Sequence, residues 1–196
     1  RADGLSDTTG HGTAIAGQIA AQPVAGSGVV GLAPDARLLS VRVFRSSQQQ
    51  DVDKGFGPTS QRIADGIHWA ADNGADIINV SMSQTTDSPE LRAAVEHAAA
   101  VGALVVASAG NRVSDADAAD AARYPAAYEQ ALGVSAADPR GLATDSSIHG
   151  PQVDVTAPGS DVLTAFPGGG DCVFATDAPA SSFSTVRTAS GVTRYC

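Results

Sequence analysis

Aromatic side chains make up only 5% of this 196-residue chain, with one tryptophan and one methionine. A core with so few large rings must close around small and aliphatic side chains, which demands close approach of helices and strands. No apolar run is long enough to span a bilayer as a helix. There is no basic run either, and the formal net charge is -9, which argues against a nucleic-acid or anionic-lipid surface. Cysteine is nearly absent: Cys172 and Cys196 are one disulfide if the protein is exported or two unrelated thiols, and the sequence leaves both open. No His/Asp/Glu/Cys set has zinc-ligand spacing. An initiating methionine is missing as well. The chain starts at Arg1-Ala2-Asp3-Gly4 and stops at Thr193-Arg194-Tyr195-Cys196. Both ends are expected to be cut from something longer, so a missing signal peptide says little about export.

What is present is globular in character: 43% hydrophobic residues, 17% charged residues and 21 glycines. A chain of this length fits one α/β domain. The stretch Thr8-Thr9-Gly10-His11-Gly12-Thr13-Ala14-Ile15-Ala16-Gly17 sets a histidine between two glycines ahead of a small-residue helix over residues 12–21. Thr8 or Thr9 is placed to cap the orphan amides of that helix. An imidazole there can take and return a proton near neutral pH, although a lone histidine more often packs or caps than catalyses. Gly26, Gly28 and Gly31 spell a dinucleotide fingerprint. A helix precedes the match and Pro34 follows it, so residues 26–31 read as a loop.

Residues 37–44 (RLLSVRVF) read as a strand and residues 45–57 as a surface loop. Thr59 or Ser60 caps a helix to about Asn73, which Gly74 stops. Residues 75–81 (ADIINVS) form an apolar run expected for a strand covered on both faces. Asp87 and Glu90 have capping-box spacing, Pro89 suits a first turn, and that helix runs to Val101 with Gly102 at its end. Residues 103–108 (ALVVAS) give the next buried strand, finishing in Ala109-Gly110-Asn111. Residues 112–123 are an acidic, alanine-rich exposed loop. Shorter strands follow at residues 132–135 and 153–156, the second ending in a sharp turn at Ala157-Pro158-Gly159. Alternating strands and helices predict a parallel sheet with helices on both faces. Ligands of such sheets bind at the carboxyl ends of strands, where Ser81–Ser83 and Ala109–Asn111 fall.

These segments resemble, in order and over nearly the whole chain, the subtilisin-like serine proteases, or subtilases. GHGTAIAG is similar to the histidine motif, GVVGLAPDARLLSVRVF to the loop and strand after it, and IADGIHWAADNGADIINVSMS to the helix and substrate-binding strand. ALVVASAGN is similar to the oxyanion-asparagine motif. YPAAYEQALGVSAAD and VDVTAPGSDVLTAF resemble the segments between asparagine and nucleophile. Residues 174–185 and the Ser190-Gly191-Val192 ending point to a mycosin-like actinobacterial branch. The resemblance implies a three-layer α/β subtilisin-like fold, with residues 1–196 a single catalytic domain that lacks an N-terminal strand and most C-terminal helices.

By the same resemblance His11 is the general base, and Asn111 is an oxyanion-hole donor, a role worth on the order of 10²–10³ in kcat. Ser182 takes the nucleophile's place, ahead of Ser184 and Ser181, although the family's Gly-Thr pair before it is missing. Residues 189–192 resemble later turns of the small-residue helix that begins at the nucleophile. The orienting aspartate has no counterpart. Asp3 and Asp7 stand too near His11 to come from a neighbouring strand, so that group is expected outside this chain, and Asp7 resembles the acidic residue that often precedes the histidine motif. A peptide substrate is implied as an added strand along Ser81-Met82-Ser83, and Ala109 and Gly110 would line a roomy, apolar first pocket. His68, His97 and His149 read as surface or half-buried side chains. No cofactor is expected. Structural calcium is common in the family, but the acidic loop over residues 114–120 reads as solvated.

The implied protein is an exported, monomeric endopeptidase of the cell envelope or medium, acting on peptides or proteins and not on nucleic acid, with any membrane anchor outside this chain. A catalytically inactive, peptide-binding relative is the alternative, motivated by the altered serine motif and the absent aspartate. A nucleotide-binding α/β protein using Gly26, Gly28 and Gly31 ranks last.

Overall fold

Small and β-branched residues over residues 75–108 produce two short strands with a helix between them, and this βαβ unit is the framework of the larger part of the molecule. The computed structural model describes residues 7, 9–25, 27–112, 118, 120–160 and 162–165 in full, and 171–174, 185–187 and 193–195 as backbone. In chain order the elements are α1 (His11–Ala20), α2 (Gln49–Asp53), α3 (Ser60–Asp72), β1 (Ile77–Val80), α4 (Pro89–Ala100), β2 (Leu104–Ser108), β3 (Ala131–Ala137), β4 (Val155–Pro158), β5 (Val162–Ala165), β6 (Asp171–Phe174), β7 (Thr185–Arg187) and β8 (Thr193–Tyr195). They fall into two units, residues 41–159 and residues 1–40 with 160–196.

In the unit of residues 41–159 a four-stranded sheet runs β1-β2-β3-β4, every neighbouring pair parallel. Its core is built from α3, α4 and the inward side chains of β1 and β2: Ile63, Ile67, Leu91, Val95, Ile78, Val80 and Val105 are all buried. Alanine supplies much of the rest, as the shortage of aromatics requires. The Thr59 hydroxyl accepts from the Arg62 amide and caps α3, and Gly74 at φ +81 ends it.

Five local expectations change. The cap of α4 is Ser88, whose hydroxyl accepts from the Leu91 amide, not Asp87. The Asp87 carboxylate instead accepts from the Tyr128 hydroxyl at 2.9 Å and from Arg92. Strand β1 alternates exposed and buried, with Ile77 65% exposed, because α3 and α4 pack on the side that Ile78 and Val80 face. Residues 37–44 form no strand, and none of the described residues pairs with them in a ladder. Val41 and Val43 pack against the core from that segment, so burial without a ladder is what their apolar character expresses. Within the presumed surface loop, residues 49–53 form α2, with Asp51 in its first turn. Pro158, expected in a turn, still pairs with Ala137 as the last residue of β4.

In the other unit α1 packs on β5. Gly17 lies against Ala165, whose Cβ would stand 2.7 Å from any Cβ added there, and the buried Thr164 hydroxyl donates to the Ala14 carbonyl. Three carbonyls in the last turn of α1 and just past it, those of Gln18, Ile19 and Ala21, accept from the amides of Leu32, Ala33 and Gly31 as the loop folds back. A Cβ on Gly31 would meet the Ala21 nitrogen at 2.4 Å, so this glycine serves close approach and its amide is taken. Gly28 lies against Leu163; Gly26 is outside the described residues. The loop is therefore a wrapping of α1 and not a phosphate cradle. β5 and β6 pair antiparallel, as do β7 and β8. Residues 185–187 and 193–195 are thus strands where a small-residue helix was expected. Thr185, Val186 and Thr193 are β-branched and favour extended backbone.

Candidate active site

The histidine motif begins at Asp7. Its carboxylate accepts hydrogen bonds from the amides of Thr9 (3.0 Å), Gly10 (2.8 Å) and Thr13 (2.8 Å) and from the Thr13 hydroxyl (2.7 Å). Gly10, at φ +86, is the residue before the helix, and no side chain of its own caps α1. Thr9 is therefore a donor to Asp7 and not the cap; Thr8 lies outside the described residues. A carboxylate among helix-end amides also opposes the positive end of the helix dipole. Burial alone would raise the Asp7 pKa. The hydrogen bonds from Thr13, Gly10 and Thr9 outweigh it and hold the carboxyl well below its ordinary range. His11 is exposed in the first turn of this braced helix. Every acceptor contact of Asp7 goes to that turn and its loop, none to the imidazole.

In the unit of residues 41–159, parallel pairing of Val80 with Ala107 brings the carboxyl ends of β1 and β2 out side by side. Ser81–Ser83 leaves the first and Ala109–Asn111 the second. Ser81 Oγ accepts from the Asn79 side chain, Met82 packs partly against the core, and Ser83 is exposed. Ala109 is fully buried and donates its amide to Val134. Gly110 has φ +101, a conformation that favours glycine. Its carbonyl accepts from the Ile148 amide, the Arg112 amide bonds the Ser146 carbonyl, and Asn111 bridges Ser147. The Asn111 backbone is therefore clamped, while its exposed side-chain amide has no hydrogen-bond partner among the described residues.

Ser182, Ser181 and Ser184 lie outside the described residues, as do Cys196, the Cys172 side chain and most of the acidic loop. His68 of α3 and His97 of α4 make a tilted ring contact at 4.7 Å, with His97 Nε2 at 2.7 Å from Asp72; His149 is exposed and its Nε2 lies 2.9 Å from the Thr144 carbonyl. No group of three or more metal-ligating side chains occurs among the described residues. No helix there is long and apolar enough to cross a membrane.

Sequence reasoning missed Arg123. It is 7% exposed, and its aliphatic stem covers Gly110, with Cγ only 2.5 Å from where a Cβ would stand. The room expected beside Ala109 and Gly110 is filled on that side. Nothing local in the sequence could have shown it, since the contact joins positions in different elements.

The subtilase family model matches residues 2–195. The chain is 36% identical over 165 residues to the major intracellular serine protease of Bacillus subtilis (strain 168), covering 84% of this chain and 49% of that protein. It is 38% identical over 162 residues to subtilisin DY of Bacillus licheniformis, covering 83% and 56%. Among solved structures it is similar to the protease domain of PatA (S218A mutant), with TM-score 0.73, 32% identity and coverage of 89% and 61%. It is also similar to MycP1 with the N-terminal propeptide removed, with TM-score 0.71, 29% identity and coverage of 85% and 57%. The chain spans about half the length of the curated relatives it matches. The fold is α/β and subtilisin-like, and the chain belongs to the subtilase family.

Proposed function

We propose that the protein is a serine endopeptidase. The observation that carries this reading is Asn111: a clamped backbone and an exposed amide with no partner among the described residues, at the carboxyl end of β2 beside the segment Ser81–Ser83. A side-chain N–H carried on that clamped backbone can meet negative charge that develops on a scissile carbonyl. His11 takes the proton from the Ser182 hydroxyl as its oxygen attacks the peptide carbonyl. The tetrahedral oxyanion accepts from Asn111 Nδ2. His11 then gives the proton to the departing amine, and water hydrolyses the acyl-enzyme by the same route in reverse. The substrate lies extended along Ser81, Met82 and Ser83, with Ala109 and Gly110 beside the residue that precedes the cut. Asp7, committed to the first turn of α1, is not the orienting carboxylate; we place that group outside residues 1–196. No cofactor takes part in these steps. We place the protein outside the cytoplasm or in the cell envelope, acting as a monomer on peptides or proteins; one relative is named an intracellular protease, so cell fractionation tests this.

The pairing of β7 with β8, where a helix was expected after Ser182, favours a second reading, a subtilase-like domain that binds peptides without cutting. A fluorophosphonate probe on the full-length protein separates the two. Labelling that disappears in Ser182→Ala and in His11→Ala supports the hydrolase. No labelling, with retained peptide binding, supports the binding domain, and labelling that survives Ser182→Ala removes Ser182 from the mechanism.

A further inference from the structure

Arg123 is a buried cation that no part of the mechanism uses. Taking a guanidinium out of water is costly unless a carboxylate or several acceptors meet it. Among the described residues no carboxylate stands within ion-pair distance of Arg123, and the one hydrogen bond of its guanidinium is a long one, Nη1 to the Ala122 carbonyl at 3.4 Å. The other N–H groups of its fork are left for water or a ligand.

The surroundings say where that ligand would be. The stem lies flat on Gly110, with Cγ, Cδ and Cβ at 2.5, 3.1 and 3.2 Å from the Cβ position the glycine leaves empty. Gly110 is thus constrained twice, by its positive φ and by the arginine above it. The next residue, Tyr124, exchanges backbone hydrogen bonds of 2.9 Å in both directions with Gln84, which directly follows Ser81–Ser83. Arg123 is therefore fixed on one side to the end of β2 and tethered on the other to the segment leaving β1. Those are the two segments that wall the proposed cleft.

We propose that Arg123 determines specificity in this cleft: its guanidinium receives a carboxylate side chain, aspartate or glutamate, at the substrate residue preceding the bond to be cut. A planar fork of N–H donors suits a carboxylate better than any neutral group, and its stem closes the apolar space that Ala109 and Gly110 alone would offer. The assignment rests on reading Ser81–Ser83 and Ala109–Asn111 as substrate-binding segments.

The test compares peptides that differ only in Glu, Gln or Leu before the scissile bond, hydrolysed by the full-length protein. Glu should exceed its isostere Gln in kcat/KM by on the order of ten- to a hundredfold, the worth of a charge-assisted hydrogen bond. Arg123→Met keeps a stem over Gly110 and removes the charge; it should erase the Glu preference while Leu peptides are cut as well as before or better. Arg123→Lys should keep a reduced preference. Equal rates for Glu and Gln in the wild type, or a Glu preference that persists in Arg123→Met, would overturn the assignment. Binding of product-like peptides ending in Glu or Gln gives the same comparison without chemistry. A protein that holds the Glu-ended peptide more tightly through Arg123 but cuts nothing keeps this inference while the hydrolase reading fails.

Discussion

The amide of Asn111 and the carboxylate of Asp7 are opposite cases of what one side chain contributes. Asn111 bonds nothing among the described residues and its backbone is held by residues 146–148. Asn111→Ala should therefore leave the thermal midpoint almost unchanged. In steady-state kinetics of the full-length protein it should lower kcat by on the order of 10²–10³ with little change in KM. A large loss of stability instead would mean the side chain is structural. Asp7 is wholly engaged in holding Thr9, Gly10 and Thr13. Asp7→Ala should release the first turn of α1 at a cost of about 1–2 kcal/mol, read as faster amide exchange at Gly10 and Thr13. Its pKa is depressed, so its stabilisation is present above the unfolded carboxyl range and is lost only as pH falls through the lower folded value. The Asp7 carboxyl carbon followed by NMR should stay ionised well below pH 4, the usual aspartate range; titration at the ordinary position would contradict the hydrogen-bond pattern. The Asp at position 7 is visible in the sequence, but its five donors are not, because they depend on Gly10 adopting a left-handed turn.

Helices α3 and α4 were legible from sequence because period, caps and stops agree: Ile63, Ile67 and Ala70 on one face, Thr59 before it, and Gly74 and Gly102 at the ends. Where a distant partner intervened, the local reading slipped. Asp87 has the spacing of a capping residue, yet Tyr128 draws its carboxylate away and Ser88 caps instead. Ser88→Ala should cost about 1 kcal/mol in denaturant unfolding, and Leu91→Ala, which empties a fully buried site in the core, about 2–5 kcal/mol. If the two losses prove equal, α4 is held by its end and not by its packed face. The strand expected over residues 37–44 shows the limit of propensity. Leu39, Val41 and Val43 favour extended backbone, but a strand also needs a neighbour, and none of the described residues supplies one.

Across the molecule, alkaline stability is tied to the Tyr128 hydroxyl. Burial pushes its pKa up to about 12, against the pull of the Ser88 backbone and with help from Asp87. A folded pKa raised above the unfolded value of 10.0 gives stability that is complete below that pH and is lost as pH rises through the folded value. The denaturation midpoint of the wild type should fall between pH 10 and 12, and Tyr128→Phe should flatten that fall. An unchanged slope in the variant would show that another group governs alkaline unfolding.

The sequence by itself determined the period of α3 and α4, the strands β1 and β2 on either side of α4, and the motifs around His11 and Asn111, because these depend on neighbours a few residues apart. It also determined the family, since those motifs keep their order along the chain. Tertiary structure decided what each polar group bonds: Asp7 with the first turn of α1, Asp87 with Tyr128, and the strand pairing of residues 185–187 with 193–195. It alone put Arg123 over Gly110. Such contacts form only when elements distant in sequence close on one another, so no local pattern encodes them.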